Sequence, residues 1–99
     1  MPRLRVAACQ INNVVGDLDG NVECILAALD RADAAGCDVA VFPELAITGY
    51  PPEDLLLKRG FLRRAQAALE GLEVSGITAI VGWPESADGH VYNAAAVVA

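Results

Sequence analysis

The sequence lacks what it would need to cross a membrane, hold a metal or staple itself with disulfides. Its longest apolar run is six residues, as in AAAVVA at Ala94–Ala99, against the roughly 18 that a spanning helix requires. The opening MPRLRVAACQI carries Arg3 and Arg5, but its apolar stretch is cut at Gln10 after four residues. It does not read as a secretory signal, and a cytoplasmic location is expected. The single histidine, His90, lies far from Cys9, Cys24 and Cys37, and no Cys-x-x-Cys pair occurs. Metal-ligand spacing is therefore missing, and an odd set of scattered thiols in a reducing compartment predicts no disulfide. Each cysteine is expected to fill core space as a small hydrophobe. Positive charge is scarce as well: 7 basic against 13 acidic residues give a net charge of −6, which argues against a nucleic-acid partner. The basic cluster KRGFLRR, Lys58 to Arg64, reads as a solvated helix face, with a phosphate or interdomain contact as the alternative. No low-complexity segment and no internal repeat is present. GDLDG departs from the phosphate-loop pattern and follows a loop instead of a strand.

What is present is a chain of 99 residues, 55% hydrophobic, with a mean hydropathy of +0.40, enough for one modest core. RLRVAACQI, Arg3 to Ile11, predicts a strand buried on both faces, as in a parallel sheet. Asp17 is placed to cap a helix running to about Ala35, with Val22, Ile25, Leu26 and Leu29 on its buried face and Gly36 at its end. DVAVF, Asp38 to Phe42, is the next strand, and the three elements make a βαβ unit with a right-handed crossover. Pro52, Glu53 and Asp54 suit the first turn of a short helix that Lys58 and Arg59 would close. A longer helix follows from about Phe61 to Leu72, with Phe61, Leu62, Ala65, Ala68, Leu69 and Leu72 as its buried stripe. ITAIVGW, Ile77 to Trp83, and VYNAAAVVA are strands, and the Asp88-Gly89 pair between them predicts an antiparallel hairpin. The expected architecture is a mixed sheet with helices packed on one face. VYNAAAVVA carries no closing cap or turn, so the chain is expected to be the opening part of a longer protein.

The stretch FPELAITGYPPEDLLL, Phe42 to Leu57, asks for a chemical explanation. Pro43 removes a ladder donor and fixes φ, so strand pairing ends there. Glu44 is then held just beyond the strand's C-terminal end, the edge at which open α/β sheets bind ligands. The competing reading of Glu44 is a carboxylate that caps the loop or neutralises a neighbour. Thr48 and Gly49 serve the turn itself. Glu53 and Asp54 are explained by helix placement, with a contact to a substrate amino group or a partner domain as the alternative. Asn93 is expected to fill a polar need inside the sheet, Trp83 to be core or interface, and His90 to lie in an exposed turn.

The order VAACQIN, GD-x-x-x-N at Gly16 to Asn21, AGCDVAVFPELAITGY, and IVGWPE followed by YNAAAVV resembles the N-terminal part of the nitrilase, or carbon–nitrogen hydrolase, superfamily. The extension TGYPPEDLLL resembles its glutamine-hydrolysing NAD+ synthetase branch, and the resemblance covers essentially the whole chain. It implies an α-β-β-α sandwich, incomplete over residues 1–99, which would form the N-terminal part of a glutaminase domain with the synthetase domain lying outside. It also implies a Glu-Lys-Cys triad whose glutamate maps onto Glu44 as general base, with Tyr50 lining the glutamine pocket or, alternatively, anchoring the loop. Lys58 is the only lysine and does not fall in the family's lysine motif, and none of the three cysteines occupies the nucleophile's position. The chain by itself is therefore expected to be inactive. Implied partners are L-glutamine here, and deamido-NAD+ and ATP with Mg2+ at the synthetase domain; a homo-oligomer is implied for the full length. The alternatives are another amidase or carbamoylase of the superfamily, or a non-catalytic assembly module.

Overall fold

The computed structural model describes residues 3–50, 55 and 57–99. The element order is β1 (Val6–Ala8), α1 (Leu18–Ala34), β2 (Val39–Val41), α2 (Arg59–Glu70), β3 (Thr78–Ala87) and β4 (His90–Val98). They build one four-stranded sheet in the order β1-β2-β3-β4. β1 pairs with β2 in parallel, with Ala7 opposite Ala40, and β2 pairs with β3 in parallel, with Ala40 opposite Ala79. β3 and β4 are antiparallel from Ala79↔Val98 to Ala87↔His90. The mixed sheet predicted from the sequence is the one observed.

α1 starts where its cap dictates, because the Asp17 carboxylate accepts a hydrogen bond from the Gly20 amide at 3.1 Å. It ends at Ala34 with Ala35 as its C-cap, after which Gly36 turns the chain with φ +77°, a conformation that only glycine adopts freely. Ile25, Ala28, Leu29 and Ala32 are buried, whereas Leu26 is exposed; the buried stripe lies further round the helix than expected. α2 begins at Arg59, two residues earlier than its apolar pattern suggests, and buries Phe61, Leu62, Ala65 and Leu69. Lys58 is its N-cap residue, and the Lys58 amide also bonds back to the Leu55 carbonyl at 3.1 Å, closing a 3-10 turn at Leu55 and Leu57. The first turn of the short helix expected from Pro52 to Lys58, at Pro52 to Asp54, lies outside the described residues.

Both helices pack on one face of the sheet. Ala40 and Phe42 of the β2 segment and Ala79 and Val81 of β3 meet Ile25, Leu29, Ala65 and Leu69 there. Ile25, Ile47 and Val81 are completely buried, each stabilising the fold by about 1.5–3 kcal/mol. The opposite, outer face is different. Val6 and Val97 on it are 53% and 71% exposed. β1 is correspondingly shorter than predicted and largely exposed, since it forms an edge of the sheet. At the hairpin, Asp88 and Gly89 have φ of 52° and 77°, the two left-handed residues of a tight two-residue connection. His90 opens β4 and is exposed. Among the described residues no helix is long and apolar enough to cross a membrane.

Candidate active site

β2 ends at Val41, and one further bond, from the Phe42 amide to the Ile80 carbonyl at 2.9 Å, carries the pairing to Pro43. The chain then turns over residues 44–48 and returns alongside β3, where the Ile47 amide donates to the Gly82 carbonyl at 3.3 Å. Glu44 opens this turn and is exposed, while Leu45 to Gly49 are buried. The turn is thus a well-anchored base with one carboxylate standing clear of it.

Several neighbours fix that base. The Asn21 side chain, 1% exposed, donates to the carbonyls of Val14 at 2.9 Å and Ile47 at 3.0 Å and accepts from the Val14 amide at 2.8 Å. Asn13 donates to the Ala46 carbonyl, and the Gly16 amide donates to the Thr48 carbonyl at 2.9 Å. The Thr48 hydroxyl donates within the turn, to the Gly49 carbonyl at 3.0 Å. Gly49 has φ +79°, and a Cβ there would stand 2.8 Å from the Val15 backbone. The Gly-Asp-x-x-x-Asn segment and the Thr-Gly pair therefore share one task. They clamp the turn that presents Glu44.

Leu45, immediately after Glu44, has φ +50°. A γ-branched residue is uncommon in this region, and the packing of the turn against β3 holds it there. Gly82 lets the two approach: a Cβ on it would lie 2.6 Å from the Leu45 nitrogen and 2.7 Å from the Pro43 carbonyl oxygen.

The carboxylate has one side-chain partner among the described residues. Asn93 of β4 donates its side-chain amide to Glu44 Oε1. Asn93 was expected inside the sheet; it is instead exposed on the outer face, opposite Pro84 in the β3–β4 register. Gly82 and Pro84 on that face are buried and the Glu44 turn lies directly over Gly82, so the amide meets its acceptor on the outer surface of the sheet instead of being buried within it.

The remaining expected site residues are more dispersed. Tyr50 follows at the end of the turn, 64% exposed, and among the described residues no hydrogen bond joins it to Glu44. Pro51 to Asp54 lie outside the described residues. Lys58 is exposed at the start of α2. Cys9 flanks the same shallow depression as Val41, Phe42 and Pro43. Burial pushes its thiol above the ordinary range, Cys37 adds to this, and Arg31 opposes it, so Cys9 stays protonated and poorly nucleophilic at neutral pH. All three cysteines are free and partly buried. Trp83 is half-buried against the core. Among the described residues no group of three His, Cys, Asp or Glu side chains is placed to hold a metal ion. The first turn of α1 does not suit a phosphate, because the carboxylate of Asp17 already occupies it.

The carbon-nitrogen hydrolase family profile matches residues 5–99. The glutamine-dependent NAD(+) synthetase of Xylella fastidiosa is 50% identical over 98 residues, covering 96% of this chain and 18% of that protein. A crystal structure of a glutamine-dependent NAD(+) synthetase from Cytophaga hutchinsonii matches with a TM-score of 0.91 and 31% identity, over 96% of this chain and 17% of that one. An amidase from Nesterenkonia sp. matches with a TM-score of 0.71 and 26% identity, over 83% of this chain and 32% of that one. The chain thus spans 18% of the length of the curated relative from Xylella.

Proposed function

This chain belongs to the carbon-nitrogen hydrolase family, and on that footing we propose that it forms the opening part of a glutamine-hydrolysing domain that supplies ammonia to an NAD+ synthetase. Glu44 is its general base. The observation that carries this reading is the carboxylate of Glu44, exposed at the C-terminal end of β2, while the turn beneath it is buried and clamped by Asn13, Asn21 and Gly82. A residue that merely stopped a strand would need no such support.

The chemistry then divides between this segment and residues further along the full-length protein. Glu44 takes the proton of a cysteine thiol, and the thiolate attacks the side-chain amide carbon of glutamine. A lysine ammonium stabilises the negative charge on the tetrahedral intermediate. As that intermediate collapses, the carbon–nitrogen bond breaks, the proton held by Glu44 passes to the departing nitrogen, and ammonia leaves a thioester. Glu44 next takes a proton from water, whose oxygen attacks the thioester carbon. Glutamate is released, and the proton returns to the sulfur. Tyr50 offers its exposed ring and hydroxyl as a wall for glutamine. ATP, Mg2+ and deamido-NAD+ belong to a second domain; the described residues here, with Asp17 at the α1 N-terminus, do not fit a nucleotide phosphate.

The test is substrate choice by the full-length protein. It should release ammonia from L-glutamine, and the ammonia should appear in NAD+ when ATP and deamido-NAD+ are supplied. Hydrolysis of simple amides with no glutamine turnover would favour a plain amidase and overturn this reading.

A further inference from the structure

We infer that Asn93 is a positioning residue for Glu44, fixing which carboxylate oxygen is free to exchange the proton; this rests on the functional reading above. On the outer face, alternate residues of β4 read Val91, Asn93, Ala95 and Val97. Asn93 is the single polar member of that row, and Val91 and Val97 beside it are 42% and 71% exposed. Neither packing nor strand pairing asks for an amide here: in the ladder Asn93 stands opposite Pro84, whose ring has no backbone N–H. The amide serves a residue 49 positions earlier, donating to Glu44 Oε1.

β2 and β4 lie on opposite sides of β3, and the turn that carries Glu44 leaves β2 and bonds to β3 through Phe42 and Ile47. The turn itself leans over the outer face of β3, where a Cβ on Gly82 would lie 2.7 Å from the Pro43 carbonyl oxygen and 3.1 Å from the Glu44 carbonyl carbon, and this brings the carboxylate to Asn93, which projects from the same face of β4. A carboxylate that must both accept and return a proton works through one oxygen. With Oε1 engaged by a neutral donor, Oε2 is the oxygen left for the thiol and for water. An amide is suited to this task because it does not titrate, so it neither competes for the proton nor changes charge during the cycle. Aspartate at the same place would set a second acceptor against Oε1, and alanine would leave the carboxylate free to rotate.

The experiment uses the full-length protein and four variants: Asn93→Ala, Asn93→Asp, Glu44→Gln, and Asn93→Ala combined with Glu44→Gln. Asn93→Ala should lower kcat for glutamine by about 10–100-fold through misorientation. KM for glutamine, the melting temperature and ammonium-dependent NAD+ synthesis should stay close to wild type. Asn93→Asp should lose at least as much. In the Glu44→Gln background Asn93→Ala should cost nothing further, because a residue that acts through Glu44 has nothing left to act on. An unchanged kcat in Asn93→Ala, beside a severe loss in Glu44→Gln, would overturn the inference and leave the functional reading standing. Parallel losses of ammonium-dependent synthesis or of melting temperature would show a structural role and also overturn it. Full glutamine use by Glu44→Gln would overturn the functional reading itself, and this inference with it.

Discussion

A Cβ on Gly82 would stand 2.6 Å from the backbone nitrogen of Leu45, so the position of the Glu44 turn depends on a side chain that is not there. Real Cβ atoms do not approach backbone this closely, and the turn would have to move. Gly82→Ala in the full-length protein should lower glutamine-dependent synthesis by a factor on the order of 10², the effect of displacing a reacting group by about 1 Å. Ammonium-dependent synthesis should persist. Gly60→Ala is the control: a Cβ there meets nothing nearer than the Arg64 guanidinium at 3.5 Å, and both rates should remain. Equal rates in Gly82→Ala and wild type would show that the turn tolerates the shift.

Asn21 carries a stability prediction. Its amide satisfies Val14 twice and Ile47 once from a buried site. Asn21→Ala leaves those backbone groups without partners, at a cost of about 2–3 kcal/mol. A denaturant titration of the full-length protein should show the midpoint fall with the slope unchanged. A midpoint equal to wild type would mean that the groups find other partners and that the clamp is dispensable.

Much of this arrangement is legible in the sequence, and what is not depends on contacts between distant segments. Asp17 announces the start of α1, and Asp88-Gly89 announces the hairpin, because caps and tight turns are local. Pro43 followed by Glu44 shows where β2 stops and which residue stands at its end. The extent of β1 is not visible: its apolar residues look like those of a central strand, and only the sheet order shows that it is an edge. Leu26 is misplaced for a related reason, since several apolar stripes fit α1 and the position of α2 and the sheet selects among them. Gly82 does carry a local signal, because a lone glycine within ITAIVGW marks a close backbone approach. Nothing local marks Asn93 as a partner of Glu44. Their pairing exists only once β3 lies between them.

Residues 1–99 as an isolated polypeptide should release no ammonia from glutamine. The proposed base, Glu44, is there, but Lys58 stands exposed at the N-cap of α2, and burial keeps Cys9 a protonated thiol. Ammonia release above a heat-treated control, surviving mild thiol alkylation, would contradict the assignment of the triad.

The same polypeptide should also associate. Val6, Val91 and Val97 are exposed at 53%, 42% and 71%, and they lie on the one sheet face that no helix covers. Strong binding of a hydrophobic dye and oligomers in size-exclusion chromatography are expected. A monodisperse, cooperatively unfolding monomer would show that the outer face needs no cover.

The central claim is that Glu44 is the general base of glutamine hydrolysis, and Glu44→Gln tests it most directly. The substitution keeps the size and the acceptor oxygen facing Asn93 but removes the group that takes a proton. In the full-length protein, NAD+ synthesis from glutamine should fall by a factor on the order of 10²–10⁴, while synthesis from added ammonium, ATP and deamido-NAD+ continues at the wild-type rate. Equal loss of both activities would make Glu44 a structural carboxylate, and loss of neither would remove it from the mechanism.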